Sequence, residues 1–159
     1  MYFRVLACNG LLVCTKIISG LCLVFCLSTV ASADEAPATP TIREMNEECE
    51  EFSMSGMHEC LKEKRDESQK KLLQAESYVN AVFSRWDVED QYIAQARVRF
   101  ITDKREFIKY REAHCLFIKS LGASGIGNAL EMREYACITE LNYRRIAQLR
   151  EAVSQFQLK

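Results

Sequence analysis

The sequence contains only two prolines, and both lie in residues 34–40, DEAPATP. That segment has almost no apolar residues, so it predicts a leader that joins no core. No segment shows the sustained alternation of apolar and polar residues, bounded by turns, that strands require. Internal repeats and low-complexity tracts are also missing. These absences argue against a sheet or a repeat architecture and favour an all-α fold.

Glycine is scarce as well, with six residues in the chain, and three of them share one loop, residues 120–128. The loop, SLGASGIGN, has glycine spacing GxxGxG, follows a predicted helix instead of a strand, and lacks the P-loop lysine. It therefore argues against phosphate or dinucleotide binding, and we expect no cofactor. Two interpretations remain, a flexible interhelix connection or a partner-binding loop. The binding residues would be Ser124, Gly125, Ile126 and Gly127.

The first 33 residues carry no acidic residue and only two basic ones, Arg4 and Lys16. An apolar stretch follows over residues 17–30 and ends on Ala31-Ser32-Ala33, the small-x-small pattern that signal peptidase accepts. A retained anchor is the alternative, but polar residues and glycines interrupt the roughly 20 apolar residues that a spanning helix needs. We therefore predict a signal peptide over residues 1–33 and no membrane association after its cleavage.

Positive charge is not in excess once the signal peptide is removed. Cleavage takes two of the 21 basic residues and none of the 22 acidic ones, which leaves 19 basic and 22 acidic residues and a net charge of −3. This balance argues against a nucleic-acid-binding protein and fits a protein that meets a basic partner. Residues 41–159 have the length of one ordinary domain.

Four of the eight cysteines lie in the predicted signal peptide, and four remain: Cys49, Cys60, Cys115 and Cys137. An even number in an exported chain indicates two disulfides, for which three pairings exist. We expect the pairs Cys49–Cys60 and Cys115–Cys137, because each encloses a turn signal and closes a short loop. This pattern predicts a periplasmic or secreted protein.

The first two helices are predicted from a cap and an apolar stripe. Thr41 and Glu44 form a capping box ahead of a short helix over residues 42–52. A second helix over residues 56–85 carries apolar residues at alternating steps of four and three, which places them on one face. That face comprises Ser68, Leu72, Ala75, Val79, Val82 and Trp86.

The third and fourth helices complete the predicted bundle. The alternative to a separate second and third helix is one bent helix. Asp87 is expected to cap the third helix, which ends between Lys119 and Gly122. Its core face comprises Ile93, Ala96, Phe100, Phe107, Tyr110, His114 and Phe117. Asn128 is expected to cap the fourth, whose apolar face comprises Leu130, Cys137, Leu141, Leu149, Ala152 and Phe156. The predicted fold is an all-α, disulfide-braced bundle of three long helices plus a short N-terminal one.

No set of residues forms a convincing catalytic or metal site. His114 and Cys115 point about 100° apart on a helix, and His58 with Cys60 has no second ligand pair to complete a zinc site. The protein is therefore expected not to be an enzyme. Acidic residues crowd the first short helix, where they form either a solvated face or a contact for a basic protein. The candidate binding residues there are Glu47, Glu48, Glu50 and Glu51.

The cysteines and their neighbours carry a family resemblance. Cys49 is followed by Met57-His58-Glu59-Cys60, and FIKYREAHC at residues 107–115 is similar to a W-x-x-[YF]-R-[DE]-A-x-C motif. A glycine- and serine-containing stretch then precedes Cys137, Arg145 and Leu149. In this pattern, residues 49–149 resemble the LprI-type lysozyme-inhibitor family of exported bacterial domains. The departures are Phe107 in place of the usual Trp, Leu73 in place of Asn, and Gln69 near the usual Asp.

The resemblance implies an exported helical domain whose protein partner is lysozyme or another cell-wall hydrolase. Inhibition would require only that a loop or helix cover the cleft in which two carboxylates act. The alternative is an envelope interaction or immunity module that binds another protein, also without catalytic activity. The matching residues Tyr110, Arg111, Cys115 and Arg145 are expected to be structural, with Arg111 paired to an acid or capping carbonyl groups.

Overall fold

The computed structural model describes residues 39–122 and 127–159. Its four helices are α1 (Ile42–Cys49), α2 (Met54–Arg85), α3 (Asp90–Ser120) and α4 (Asn128–Ser154). The all-α fold of three long helices and a short N-terminal one is confirmed. The predicted signal peptide and most of the leader lie outside the described residues. No helix within the described ranges combines the length and apolar character needed to cross a bilayer.

Helix α1 begins where its capping box predicts. Thr41 Oγ1 accepts a hydrogen bond from Glu44 N at 3.2 Å, and Glu44 Oε2 accepts one from Thr41 N at 2.7 Å. The bond from the Thr41 amide, followed by that from its hydroxyl, lowers the pKa of the Glu44 carboxyl. The predicted end at Phe52 is wrong, since α1 stops at Cys49. The chain must reverse before Ser53, whose hydroxyl caps α2 by accepting from Gly56 N at 3.3 Å.

Helices α2 and α4 form the most extensive helix pair of the bundle, and each of them also packs against α1 and α3. The predicted α2 stripe is buried from Ser68 to Val82, and Trp86 at its end is partly buried. The main core joins this stripe to α3 and α4: Leu72, Ala75, Val79, Val82 and Phe83 pack with Phe100, Ile146, Leu149 and Val153. A second core fastens α1 to α2 and α4 through Met45, Cys49, Leu61, Met132 and Ala136.

The predicted core faces of α3 and α4 are wrong at three positions. Tyr110 and Phe117 are 54% and 57% exposed, and Ala152 on α4 is exposed beside the buried Val153. Along α3, only Phe100 and Cys115 are buried. Helical spacing identifies apolar side chains on one side of α3, but the width of the covered strip depends on how neighbouring helices pack.

Helices α2 and α3 are separate, and the C-terminal residues hold their junction. Asp87 N donates to Gln157 O at 3.0 Å, and Lys159 N donates to Arg85 O at 2.8 Å. Trp86 stacks on Phe156 with ring centroids 4.4 Å apart. Asp87 is therefore part of this connection and not the cap of α3, whose N-cap is Glu89 with no side-chain hydrogen bond.

Two disulfides brace the bundle in the expected pairing. Cys49–Cys60 links the end of α1 to the first turns of α2, and Cys115–Cys137 links α3 to α4. Cys115 and Cys137 are buried with Leu141 in a third small core. Each bridge joins consecutive helices across the turn between them, so the pairing follows from the short connections.

Candidate protein-binding surface

The four glutamates predicted as a binding face differ in their surroundings. Glu47 and Glu48 lie in α1, while Glu50 and Glu51 lie in the turn after it. Glu48 forms an ion pair with Lys64 of α2, which fastens it to the bundle. Glu47 Oε1 lies 3.8 Å from Arg43 Nε, and such an exposed ion pair contributes little stability. Glu50 and Glu51 have no ion pair within the described residues. Of the four, Glu47, Glu50 and Glu51 therefore have no ion pair with another helix among the described residues.

An open groove of about 680 Å³ lies beside these acids, between α1 and the start of α2. We call it the α1–α2 groove. Its apolar lining comes from Ile42, Phe52, Met54 and Met57, and Glu47 and Glu50 line it beside them. Phe52 and Met54 are 55% and 63% exposed. Sequence patterns do not reveal either residue, since they sit in a turn and at a helix start where no periodicity marks them.

The glycine-rich loop is described only at its ends. Ser124, Gly125 and Ile126, three of its four candidate binding residues, lie outside the described ranges. Gly127 is the N-cap of α4 with a φ of 58°, a left-handed conformation that favours glycine. Asn128, predicted as that cap, is the first helical residue instead. Gly122 packs tightly, since a Cβ there would lie 2.8 Å from a Leu130 methyl.

The two histidines, His58 and His114, contact aromatic rings, and His58 also contacts a glutamate. His58 Nε2 lies 2.7 Å from Glu131 Oε2, and its ring packs against Tyr135. His114 stacks on Tyr110, and the neighbouring Cys115 is held in a disulfide. In residues 39–122 and 127–159, no three His, Cys, Asp or Glu side chains group closely enough to hold a metal ion.

Most of the chain, residues 45–149, is similar to one protein family. The model described as "Lysozyme inhibitor LprI" matches residues 45–149, more than half of the 159 residues. The chain belongs to the LprI family. No curated protein and no solved structure matches it significantly. The LprI match contains all four disulfide cysteines and ends at Leu149, within α4.

Arg111, in the motif that carries the LprI resemblance, ties the three long helices together. Its Nη1 donates to Gln69 Oε1 at 2.8 Å and to Asn142 Oδ1 at 2.7 Å. Asn142 is fully buried and donates to Ser68 Oγ at 2.9 Å. The expectation that Arg111 pairs with an acid or caps backbone carbonyl groups is wrong, because its acceptors are the oxygens of two side-chain amides. Burial lowers the pKa of its guanidinium, and the carboxylates of Glu112 and Glu76 oppose that shift.

Arg145 and Tyr110, two further positions of the LprI pattern, differ in their surroundings. Arg145 forms an ion pair with Asp103, and its guanidinium lies 5.4 Å from the centre of the Phe107 ring. Burial lowers the pKa of Arg145. Tyr110 is exposed and stacks on His114 at 5.5 Å. The two arginines are therefore engaged within the bundle, whereas the tyrosine faces solvent.

The substitution Gln69→Glu is expected to stabilise the fold by about 1 kcal/mol at pH 7, because Arg111 would gain a charged acceptor. The ion pair would hold the folded-state pKa of the introduced carboxyl below its unfolded value, near 4.3. The gain is therefore present above about pH 4.3 and disappears as the pH falls through the folded-state pKa. Urea denaturation between pH 3 and 7 measures it.

The control is Gln95→Glu, which places the same charge at an exposed position of α3 and should change stability by less than about 0.5 kcal/mol. An equal change in both variants would show that net charge, not Arg111, causes the effect.

Proposed function

We propose that this LprI-family protein is exported and inhibits lysozyme or a related cell-wall hydrolase by covering its active-site cleft. The observation that carries the proposal is the match to "Lysozyme inhibitor LprI" over residues 45–149. Export is supported by the two disulfides, since such bridges form and persist in oxidising compartments. The partner is a protein, and the domain contributes a surface to the complex.

Occlusion requires no chemistry from the inhibitor. A glycoside hydrolase of this kind acts through two carboxyl groups in a cleft that must admit a polysaccharide. A protein surface seated over that cleft excludes the substrate. Glu47, Glu50 and Glu51 would complement a basic hydrolase and mainly raise the rate at which the two proteins associate. The glycine-rich loop, residues 120–128, is the other element that we propose for the contact, and it lies in the stretch of sequence that the Cys115–Cys137 bridge closes.

The test measures how a purified basic lysozyme clears a suspension of bacterial cell walls. Inhibition is expected at micromolar concentrations of the protein. Replacing Glu47, Glu50 and Glu51 by lysine should lower the association rate about tenfold and flatten its dependence on salt. Glu48 is left unchanged because it pairs with Lys64. Surface plasmon resonance at several salt concentrations gives the rates.

The control replaces Glu63, Glu112 and Glu151, three other exposed acids, by lysine, so that the net charge changes equally. It should affect association less than the variant in the acidic segment. Deleting residues 125–127 examines the loop, and faster dissociation would place the loop in the contact. Absence of inhibition by the parent protein at micromolar concentration would refute the proposal and favour a module that binds a different protein.

A further inference from the structure

The α1–α2 groove leaves two large apolar side chains exposed to solvent, and these belong to residues only two positions apart in the sequence. Phe52 and Met54 both line the groove, and each is more than half exposed. Ile42 and Met57 extend the apolar lining, and both also pack against the α1 core. An apolar concavity of this kind with charged residues beside it is typical of a surface that binds another protein.

The backbone holds this surface in one arrangement. The Cys49–Cys60 disulfide closes the turn that carries Phe52, and Phe52 N donates to Cys49 O at 3.3 Å. Phe52 also lies against the first turn of α2, where a Cβ on Gly56 would be only 2.9 Å from Phe52 Cβ. Ser53 caps that turn. A groove that is already shaped loses little conformational entropy when a partner binds.

The charges around the groove select the chemistry of its occupant. Glu47 and Glu50 line it, Glu51 lies in the same turn, and the one cation in the lining, Arg43, is exposed and loosely paired with Glu47. A second copy of this chain would bring its own acids against these, and the leader carries Asp34 and Glu35. Pro40, the leader residue nearest α1, lines a different hollow with Met45 and Glu48. The complementary occupant is an apolar side chain on a basic surface.

We infer that the α1–α2 groove is the contact through which the domain holds its hydrolase, with an aliphatic or aromatic side chain of a basic surface seated between Phe52 and Met54. This inference rests on the proposed function and assigns its binding site. Phe52 and Met54 supply the buried centre of the interface, and the glutamates supply its charged edge.

The experiment measures the affinity of the protein, expressed from its full sequence, for a purified basic lysozyme. The double variant Phe52→Ala/Met54→Ala should weaken binding more than about tenfold through faster dissociation, because buried central side chains dominate interface energies. The matched control is Leu73→Ala/Phe117→Ala, which removes an aliphatic and an aromatic side chain of similar exposure, 53% and 57%. It should change the affinity less than about twofold. Circular dichroism verifies that both variants are folded.

The outcomes separate the inference from the function on which it rests. If the groove variant binds and inhibits like the parent, the groove assignment is wrong and lysozyme inhibition stands. If the parent neither binds nor inhibits, both are wrong. Equal loss in the control would show that the effect is not specific to the groove, which overturns the assignment. A parent that sediments as a dimer while the groove variant sediments as a monomer would make the groove an interface between two copies, which also overturns the inference.

Discussion

Replacing Cys115 and Cys137 together by serine is expected to destabilise the domain by about 3 kcal/mol, because the bridge restricts the unfolded chain. The two cysteines are 22 residues apart and nearly inaccessible, at 1% and 2% exposure. They pack with Leu141, so the variant also places hydroxyl groups in an apolar cluster. For a domain of this size the midpoint of thermal unfolding should fall by roughly 10 °C. Differential scanning calorimetry measures the change.

The comparison variant replaces Cys49 and Cys60. These residues are 11 apart, half the separation of the other pair, so their loop contribution should be about 0.6 kcal/mol smaller. The reductant dithiothreitol should destabilise the parent and leave the variant lacking both bridges unaffected. An unchanged unfolding midpoint for the Cys115/Cys137 variant would mean that those thiols are not joined in the protein.

Asn142→Ala is expected to destabilise the fold by about 3 kcal/mol, since it leaves a half-buried charge short of an acceptor and creates a cavity. Asn142 accepts from Arg111 and donates to Ser68, and it has no exposed surface. The substitution therefore disconnects α4 from α2 and from α3 at one point. Urea denaturation followed by circular dichroism gives the free energy of unfolding.

Asn80→Ala is the matched control. Asn80 is exposed on α2, and its side chain donates only to Glu76 O of its own helix. Its loss should cost less than about 0.5 kcal/mol. Equal effects at the two asparagines would contradict the role assigned to the buried Arg111–Asn142–Ser68 network.

Local signals in the sequence predicted the helices and the disulfides. The Thr41 capping box marked the start of α1 to the residue, and the stripe from Ser68 to Val82 marked the buried face of α2. Both depend on neighbours within a few residues, for which spacing is informative. The disulfide pairing followed for the same reason, because each bridge spans one turn between consecutive helices.

The polar network was not predictable in this way. Gln69, Arg111 and Asn142 lie on three helices, and nothing in their local sequence shows that they meet. The α1–α2 groove was not predictable from local sequence either. Phe52 and Met54 belong to no periodic pattern, and they become a surface because α1 ends at Cys49 and the chain reverses directly into α2.

The sequence by itself determined the helical class, the start of α1, the buried stripe of α2, the cysteine pairing and the resemblance to the LprI family. Each of these depends on residue type and short-range spacing along the chain. Only the tertiary structure decided which apolar residues stay exposed, which acceptors Arg111 has, and where an apolar groove adjoins the acidic residues. Those properties depend on how far neighbouring helices cover one another, and that is a matter of packing between segments distant in sequence.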